Sequence, residues 1–346
     1  MVRVGIVGAT GYSGVELIRL LSGHPEVHIH RLYSSSSEGT ELAAGFPHLQ
    51  SFPLPALESI DAEKMAEAND VIFLATPAGV STKLSPALTG AGARVIDLSG
   101  DFRLRSGDAY RQWYRKEPAE PKHLAQAVYG LHEWRQEEVA AAKLVANPGC
   151  YPTATLLALL PLGLSGWVQP NSWIVDAKSG VSGAGRGASL GVHYSEVNEN
   201  FAAYKVGQHQ HTPEIEQELA AQIGAEMLVQ FTPHLVPMTR GIFVTAYAQL
   251  NQDVKLDQIQ ALYEETYAGK PFVRVRQPGS YPRTKEVYGS NYCDIAVHLD
   301  ERTGRVILLS VIDNVVKGAA GQAIQNMNTM LGMPETMGLL NRPVFP

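Results

Sequence analysis

Charge is scarce in this chain. Asp, Glu, Lys and Arg make up 18% of its 346 residues, below the roughly 25% usual in soluble domains. A thin charged surface suits a protein that covers part of itself with another subunit, so a homodimer or homotetramer is expected. The 28 Lys and Arg against 34 Asp and Glu leave a net charge of −6. No run of basic side chains occurs, so neither a nucleic acid nor an anionic membrane is expected as a partner. Cysteine is nearly absent, with only Cys150 and Cys293. That count excludes a disulfide framework and fits a reducing, cytoplasmic location. Long apolar runs are missing too. Residues 144–175 carry no charge, but Pro148, Pro152, Pro161, Gly163, Gly166 and Pro170 interrupt them, so they read as a buried strand and helix rather than a span. The opening MVRVGIVGATGYSG has no charged segment followed by an apolar one and a small-residue cleavage site, so no leader is expected.

What is present is alternation. At roughly 150 residues per domain the length suggests about two domains, each able to bury a core. Compact apolar runs at Val2–Val7, Val27–Tyr33, 71–75, 94–98 and 143–146 are separated by helix-length segments, the pattern of right-handed βαβ crossovers and a parallel sheet. From about Trp173 alternating runs take over, at 173–177, 241–250, 295–299 and 306–312. These predict a mostly antiparallel sheet with helices. The expected fold is therefore α/β: a Rossmann-type doubly wound sheet over 1–149, then an α+β catalytic and oligomerisation domain over 150–313. The helical 314–346 segment is expected to rejoin the first domain.

Three stretches carry chemistry. In the first, Gly8, Gly11 and Gly14 lie between the first strand and a helix that places Val15, Ile18 and Leu21 on one face. Absent side chains there allow a tight turn and a close approach of pyrophosphate to a helix N-terminus. The spacing is G-x-x-G-x-x-G rather than G-x-G-x-x-G, but its position at the first βα turn predicts a dinucleotide site. At the end of the second strand, Arg31-Leu32-Tyr33-Ser34-Ser35-Ser36-Ser37 offers hydroxyls and an arginine where NAD-specific sites carry an acid. NADP is thus expected, with nearby Glu38 keeping NAD open as the alternative.

The second stretch is Asn147-Pro148-Gly149-Cys150-Tyr151-Pro152. A strand ends, Pro-Gly turns the chain, and Cys150 opens an apolar helix whose dipole and unpaired amides stabilise a thiolate. Cys150 is read as the nucleophile, and Cys293 as a small buried apolar residue. The third stretch is His209-Gln210-His211-Thr212-Pro213-Glu214. Thr212 is predicted as the helix N-cap with Pro213 first in the helix, and the two histidines are expected in extended chain with their rings on one side. Either ring suits acid–base work beside a thiolate. Two merely hydrogen-bonding histidines are the alternative, and no third ligand nearby supports a metal.

With these stretches together, the chain resembles the N-acetyl-γ-glutamyl-phosphate reductase family along essentially its whole length. The resemblance rests on the cysteine signature around Pro148-Gly149-Cys150-Tyr151-Pro152-Thr153-Ala154, the glycine loop, and Asp97-Leu98-Ser99-Gly100-Asp101-Phe102-Arg103. It extends through Ser179-Gly180-Val181-Ser182-Gly183-Ala184-Gly185-Arg186, the segment from His209 to Glu214, Val236-Pro237-Met238-Thr239-Arg240-Gly241 and Ile312-Asp313-Asn314. Aspartate-semialdehyde dehydrogenases share the chemistry but take their histidine after a Val-Pro segment, where this chain has Thr239, Arg240 and Gly241. The resemblance implies attack of Cys150 on an acyl phosphate, hydride transfer from NADPH to the thioester, and a proton from His209 as the thiohemiacetal collapses. It places cofactor contacts at Gly8, Thr10, Gly11, Tyr12, Ser13, Gly14, Ser34, Ser35, Ser37, Ser179, Gly180, Gly183 and Asn314. A small-molecule substrate is expected at Arg103, Asn147, Arg186 and Arg240, with Lys178 behind them. One departure is the lack of arginine within the serine run. A sister reductase acting on aspartyl or carrier-bound phosphates, or a regulator that binds NADP without turnover, are the alternatives.

Overall fold

The computed structural model describes residues 1–35 and 38–345. The chain divides into two compact units, Met1–Pro148 with Ala319–Leu340 and Gly149–Gly318 with Asn341–Pro346.

In the first unit the described residues form a seven-stranded sheet. Its strands are β1 (Val2–Val7), β2 (Val27–Tyr33), β3 (Leu57–Glu58), β4 (Val71–Leu74), β5 (Arg94–Asp97), β6 (Ala127–Tyr129) and β7 (Leu144–Ala146). The order is β3-β2-β1-β4-β5-β7-β6 and every pairing is parallel. The direction of winding reverses between β1 and β4, the crevice where doubly wound folds hold ligands. Strands covered on both faces read as continuous apolar runs, and Val4, Ile6, Val71, Ile72, Phe73, Leu74, Val95 and Ile96 are fully enclosed. A C-terminal helix, Gly321–Met330, belongs to this unit and is buried along nearly its whole length.

The second unit holds another seven-stranded sheet: β8 (Trp173–Ser179), β9 (Ala202–Ala203), β10 (Val229–Leu235), β11 (Ile242–Gln249), β12 (Val273–Val275), β13 (Cys293–Asp300) and β14 (Arg305–Ile312). Its order is β12-β13-β14-β11-β8-β10-β9. Most pairings are antiparallel, while β10 with β8 and β12 with β13 run parallel. In β11 the residues alternate strictly between buried and half-buried, the mark of a sheet packed on one face. Leu156, Leu157, Leu159 and Leu160 of the helix Cys150–Leu164 are buried to within 1%. This helix is apolar all round, as a core helix must be.

Candidate active site

In the first unit the glycine loop is dictated by space. Gly8 has φ +82°, and a Cβ there would stand 2.3 Å from the carbonyl oxygen of Ala75. A Cβ on Gly14 would stand 2.3 Å from the Gly8 carbonyl oxygen and 2.8 Å from Ala9 Cα. No side chain fits at either position, so the loop lies flat between β1, β4 and the helix Tyr12–Leu21. Gly11 is the N-cap of that helix, and its first turn carries no acid. Thr10, Tyr12 and Ser13 line the same turn, with Tyr12 42% exposed. The bare helix end suits a pyrophosphate, so these residues fit a nicotinamide dinucleotide.

At the end of β2, Ser34 is buried and Ser35 exposed, while Ser36 and Ser37 lie outside the described residues. Arg31, read as available for a 2′-phosphate, is ion-paired with Glu58 of β3 at 3.0 Å. The acid lies 27 positions on in sequence, in another strand, which no local spacing reveals.

The Asp97–Arg103 motif closes the carboxyl ends of β4 and β5. Asp97, fully enclosed, accepts bonds from the Ser81 hydroxyl (2.7 Å), the Ser99 amide (2.9 Å) and the Ser99 hydroxyl (2.9 Å). Burial nonetheless pushes its carboxyl up to about 6. Asp101 accepts from the amides of Gly79 and Thr82 and from the Tyr110 hydroxyl. Arg103 donates to the backbone carbonyls of Asn147 and Leu98, each at 2.8 Å. The Asn147 amide donates to Ala319 and accepts from Asn326. Both side chains therefore tie strand ends together inside this unit.

In the second unit Cys150 begins the helix Cys150–Leu164, with Gly149 as N-cap and no acid in the first turn. Pro152, in the first turn, brings no N–H to the helix's amino end. Cys150 is half-buried; Cys293 is buried in β13 with its Sγ 3.4 Å from the Ser310 hydroxyl. The Gly149 N–H donates to Glu214 Oε1 at 2.8 Å. A Cβ on Gly149 would stand 2.5 Å from His211 Nε2, and one on Gly318 would stand 2.7 Å from Cys150 Cβ.

His209 is 3% exposed. Its ring meets those of Tyr151 (5.6 Å), Tyr204 (5.5 Å), Phe231 (5.5 Å) and His211 (4.8 Å) edge to face. Burial in this aromatic box, with the Lys205 charge adding to it, pushes its imidazole down to about 3. Its Nδ1 accepts the His211 backbone N–H at 3.2 Å, which leaves the proton of the neutral ring on Nε2. Tyr204 donates to the Tyr151 hydroxyl, which donates to the carbonyl of His234.

Two local expectations are corrected. The helix Thr212–Ile223 has His211, not Thr212, as its N-cap, and Pro213 is its second residue. His211 already has helical dihedrals (φ −81°, ψ −13°), and the Thr212 N–H bonds the His209 carbonyl at 3.0 Å. The chain is thus turning at 209–211 rather than extended; the two rings adjoin because of the turn.

Around the end of β8, Ser179, Gly180, Gly183 and Asn314 gather. A Cβ on Gly180 would stand 2.8 Å from the Met238 carbonyl oxygen, and one on Gly183 would stand 3.1 Å from Ser179 Oγ. Asn314 accepts the Gly241 N–H at 2.7 Å and donates to the Ser182 hydroxyl at 2.9 Å. Arg240 reaches Asp313 at 3.3 Å and lies over the Tyr288 ring. Arg186 is exposed on the loop beyond. Lys178 is half-buried, its ammonium lowered by burial. Sequence reasoning missed Glu214, Gly318, Tyr204 and Phe231 as members of this neighbourhood.

Residues 3–142 match the family described as semialdehyde dehydrogenase, NAD binding domain, and residues 150–314 that described as semialdehyde dehydrogenase, dimerisation domain. The class is thus a semialdehyde dehydrogenase, an enzyme. An N-acetyl-gamma-glutamyl-phosphate reductase of Brevibacillus brevis is 70% identical over 346 residues, covering 100% of both chains. Another, of Geobacillus sp. (strain WCH70), is 54% identical over 344 residues, 99% of this chain and 100% of that one. The fold is shared with aspartate semialdehyde dehydrogenase II of Vibrio cholerae, at TM-score 0.72 and 19% identity over 96% of this chain and 99% of that one. It is shared as well with the aspartate semialdehyde dehydrogenase of Candida albicans solved with NADP (TM-score 0.68, 18% identity, 97% and 99% covered). The chain belongs to the N-acetyl-gamma-glutamyl-phosphate reductase family.

Proposed function

We propose that this protein reduces N-acetyl-γ-glutamyl phosphate to N-acetylglutamate 5-semialdehyde and phosphate, with NADPH as the reductant. The observation that carries this reading is Cys150: half-buried at the amino end of a buried helix, with no acid in its first turn, the His211 ring over its N-cap Gly149 and the His209 ring edge-on to Tyr151. In the first step the Cys150 thiolate bonds the acyl carbon, the carbon–oxygen bond to phosphorus breaks, and phosphate leaves with the electron pair. NADPH held at the glycine loop would supply a hydride to the carbonyl carbon of the Cys150 thioester, leaving a thiohemiacetal oxyanion on Cys150. The carbon–sulfur bond then breaks, the carbonyl re-forms, and Cys150 is again a thiolate. A cysteine serves because it is both a good nucleophile and a good leaving group.

His209 acts in this scheme as a neutral donor. With its ionisation pushed down to about 3 by burial, the ring is neutral at pH 7. Its Nε2–H is suited to hold the oxyanion of each tetrahedral intermediate. Arg240 and Arg186 are the proposed anchors for the anionic ends of the substrate; Arg103 and Asn147 act by fixing strand ends. Ser179, Gly180, Gly183 and Asn314, with the glycine loop, are proposed for the cofactor, which Ser34 and its neighbours select as NADP. A cytoplasmic homodimer is the proposed assembly. The open face of the second sheet carries Ile174, Phe243, Tyr247, Ile307 and Leu309, with Ile174 38% exposed, and a second copy would cover it.

The test is phosphate-dependent reduction of NADP with N-acetylglutamate semialdehyde. Turnover that Cys150→Ser abolishes, with NADPH affinity kept, is expected. Retention of more than about 5% activity by Cys150→Ser would remove the nucleophile, since a serine hydroxyl cannot match a thiolate. No turnover by folded, cofactor-bound protein would favour a regulator.

A further inference from the structure

Gly149, the residue just before the nucleophile, is held from several sides. Its carbonyl accepts from the Thr153 amide (2.9 Å) and the Thr153 hydroxyl (3.0 Å). Its N–H reaches across to Glu214 Oε1 at 2.8 Å, and the His211 ring closes over its Cα. Glu214 has no solvent exposure and stands in the first turn of the helix Thr212–Ile223. The same turn thus carries the carboxylate on Gly149 and follows the His209–His211 pair.

We propose that Glu214 is a positioning residue for the reaction: its side-chain oxygen, accepting the Gly149 N–H, fixes the N-cap residue of the cysteine helix, and thereby the aim of the Cys150 thiol relative to the two histidines. This rests on the reading of Cys150 as nucleophile. Enclosing a carboxylate has a desolvation cost, which a merely space-filling role leaves unrecovered. Here the acid spans two elements and meets the one residue whose orientation sets the nucleophile. A carbonyl oxygen at the same place, as in glutamine, satisfies the same N–H; an aliphatic side chain of similar bulk does not.

The test compares Glu214→Gln and Glu214→Leu in the full-length protein by three measurements: kcat and KM, the rate of Cys150 alkylation by iodoacetamide, and melting temperature. Cys293 is buried, so alkylation of the native protein reads Cys150. Glu214→Gln is expected to keep kcat and alkylation within about fivefold of the parent. Glu214→Leu should lower kcat by about 10²-fold, the cost of misplacing a reacting group by about 1 Å, with KM for NADPH unchanged. A structural role alone would make both variants lose activity in step with melting temperature. The proposal is overturned if folded Glu214→Leu keeps kcat within threefold, or if the Gln variant is as impaired as the Leu variant. Should Glu214→Leu not fold, Glu214→Met takes its place. Unreactive Cys150 in the parent protein would instead sink the nucleophile reading itself.

Discussion

Gly318→Ala should disable the nucleophile without touching its chemistry. Gly318 sits in the turn Val316–Ala320 and donates its N–H to the Asp313 carbonyl. It is not among the glycines with positive φ, so its backbone conformation is open to alanine and only space is at issue. The added methyl would lie 2.7 Å from Cys150 Cβ, 3.1 Å from its Cα and 3.2 Å from Ile312 Cδ1. Carbon atoms in contact sit about 3.5–4.0 Å apart, so relief demands a shift of about 1 Å. Cys150 begins a helix whose following residues are buried, and the near side yields first. A displacement of that size costs about 10²-fold in rate, and overpacking costs about 1–3 kcal/mol. For a unit of this size that corresponds to roughly 2–12 °C in melting temperature. Steady-state kinetics, iodoacetamide alkylation and a thermal melt read all three effects. A folded Gly318→Ala protein with kcat within threefold of the parent, alkylated at the parental rate, would refute the reasoning.

Three further outcomes are expected. His209→Leu should lower kcat by about 10²–10³-fold, as loss of an oxyanion donor does, and the parent's kcat–pH profile should lack a histidine limb near pH 6.5. His211→Asn should lose less rate and more melting temperature, since its ring fills the space over Gly149; the reverse ranking would exchange their roles. NADPH should be preferred over NADH by at least about tenfold in kcat/KM, about 1.4 kcal/mol, and equal values would remove the cofactor assignment. Asp97 titrates higher folded (about 6) than unfolded (near 3.8), so the folded protein binds the extra proton and Asp97 costs stability as pH rises from about 4 through 6. Urea unfolding should therefore show Asp97→Asn gaining on the parent across that window, by about 3 kcal/mol at most; a pH-independent difference would contradict this.

The parallel sheet was legible because its strands are enclosed on both faces and read as unbroken apolar runs, as in β1 and β4. β10 was not, because Pro233 and His234 interrupt its alternation, yet it pairs along its whole length with β8. Short β3, β9 and β12 have too few residues to show a period. At the site, Cys150 was evident from Pro-Gly before an apolar helix. Glu214 was legible only as an acid in a helix's first turn, since its partner lies 65 positions away. Arg31 misled for the same reason: its counter-charge comes from another strand. Local spacing announces turns and caps, whereas burial of a charge depends on what the fold brings across.

The seclusion of Cys293 has a bearing on oxidative damage. A sulfenic acid at an exposed catalytic cysteine is usually rescued by a neighbouring thiol that converts it to a disulfide. Here the other cysteine is buried at the start of β13, against Ser310. Cys150 therefore has no resolving partner in its own chain, and recovery from peroxide depends on a thiol supplied from solution. Activity lost to mild peroxide should return with added thiol and decay irreversibly without it.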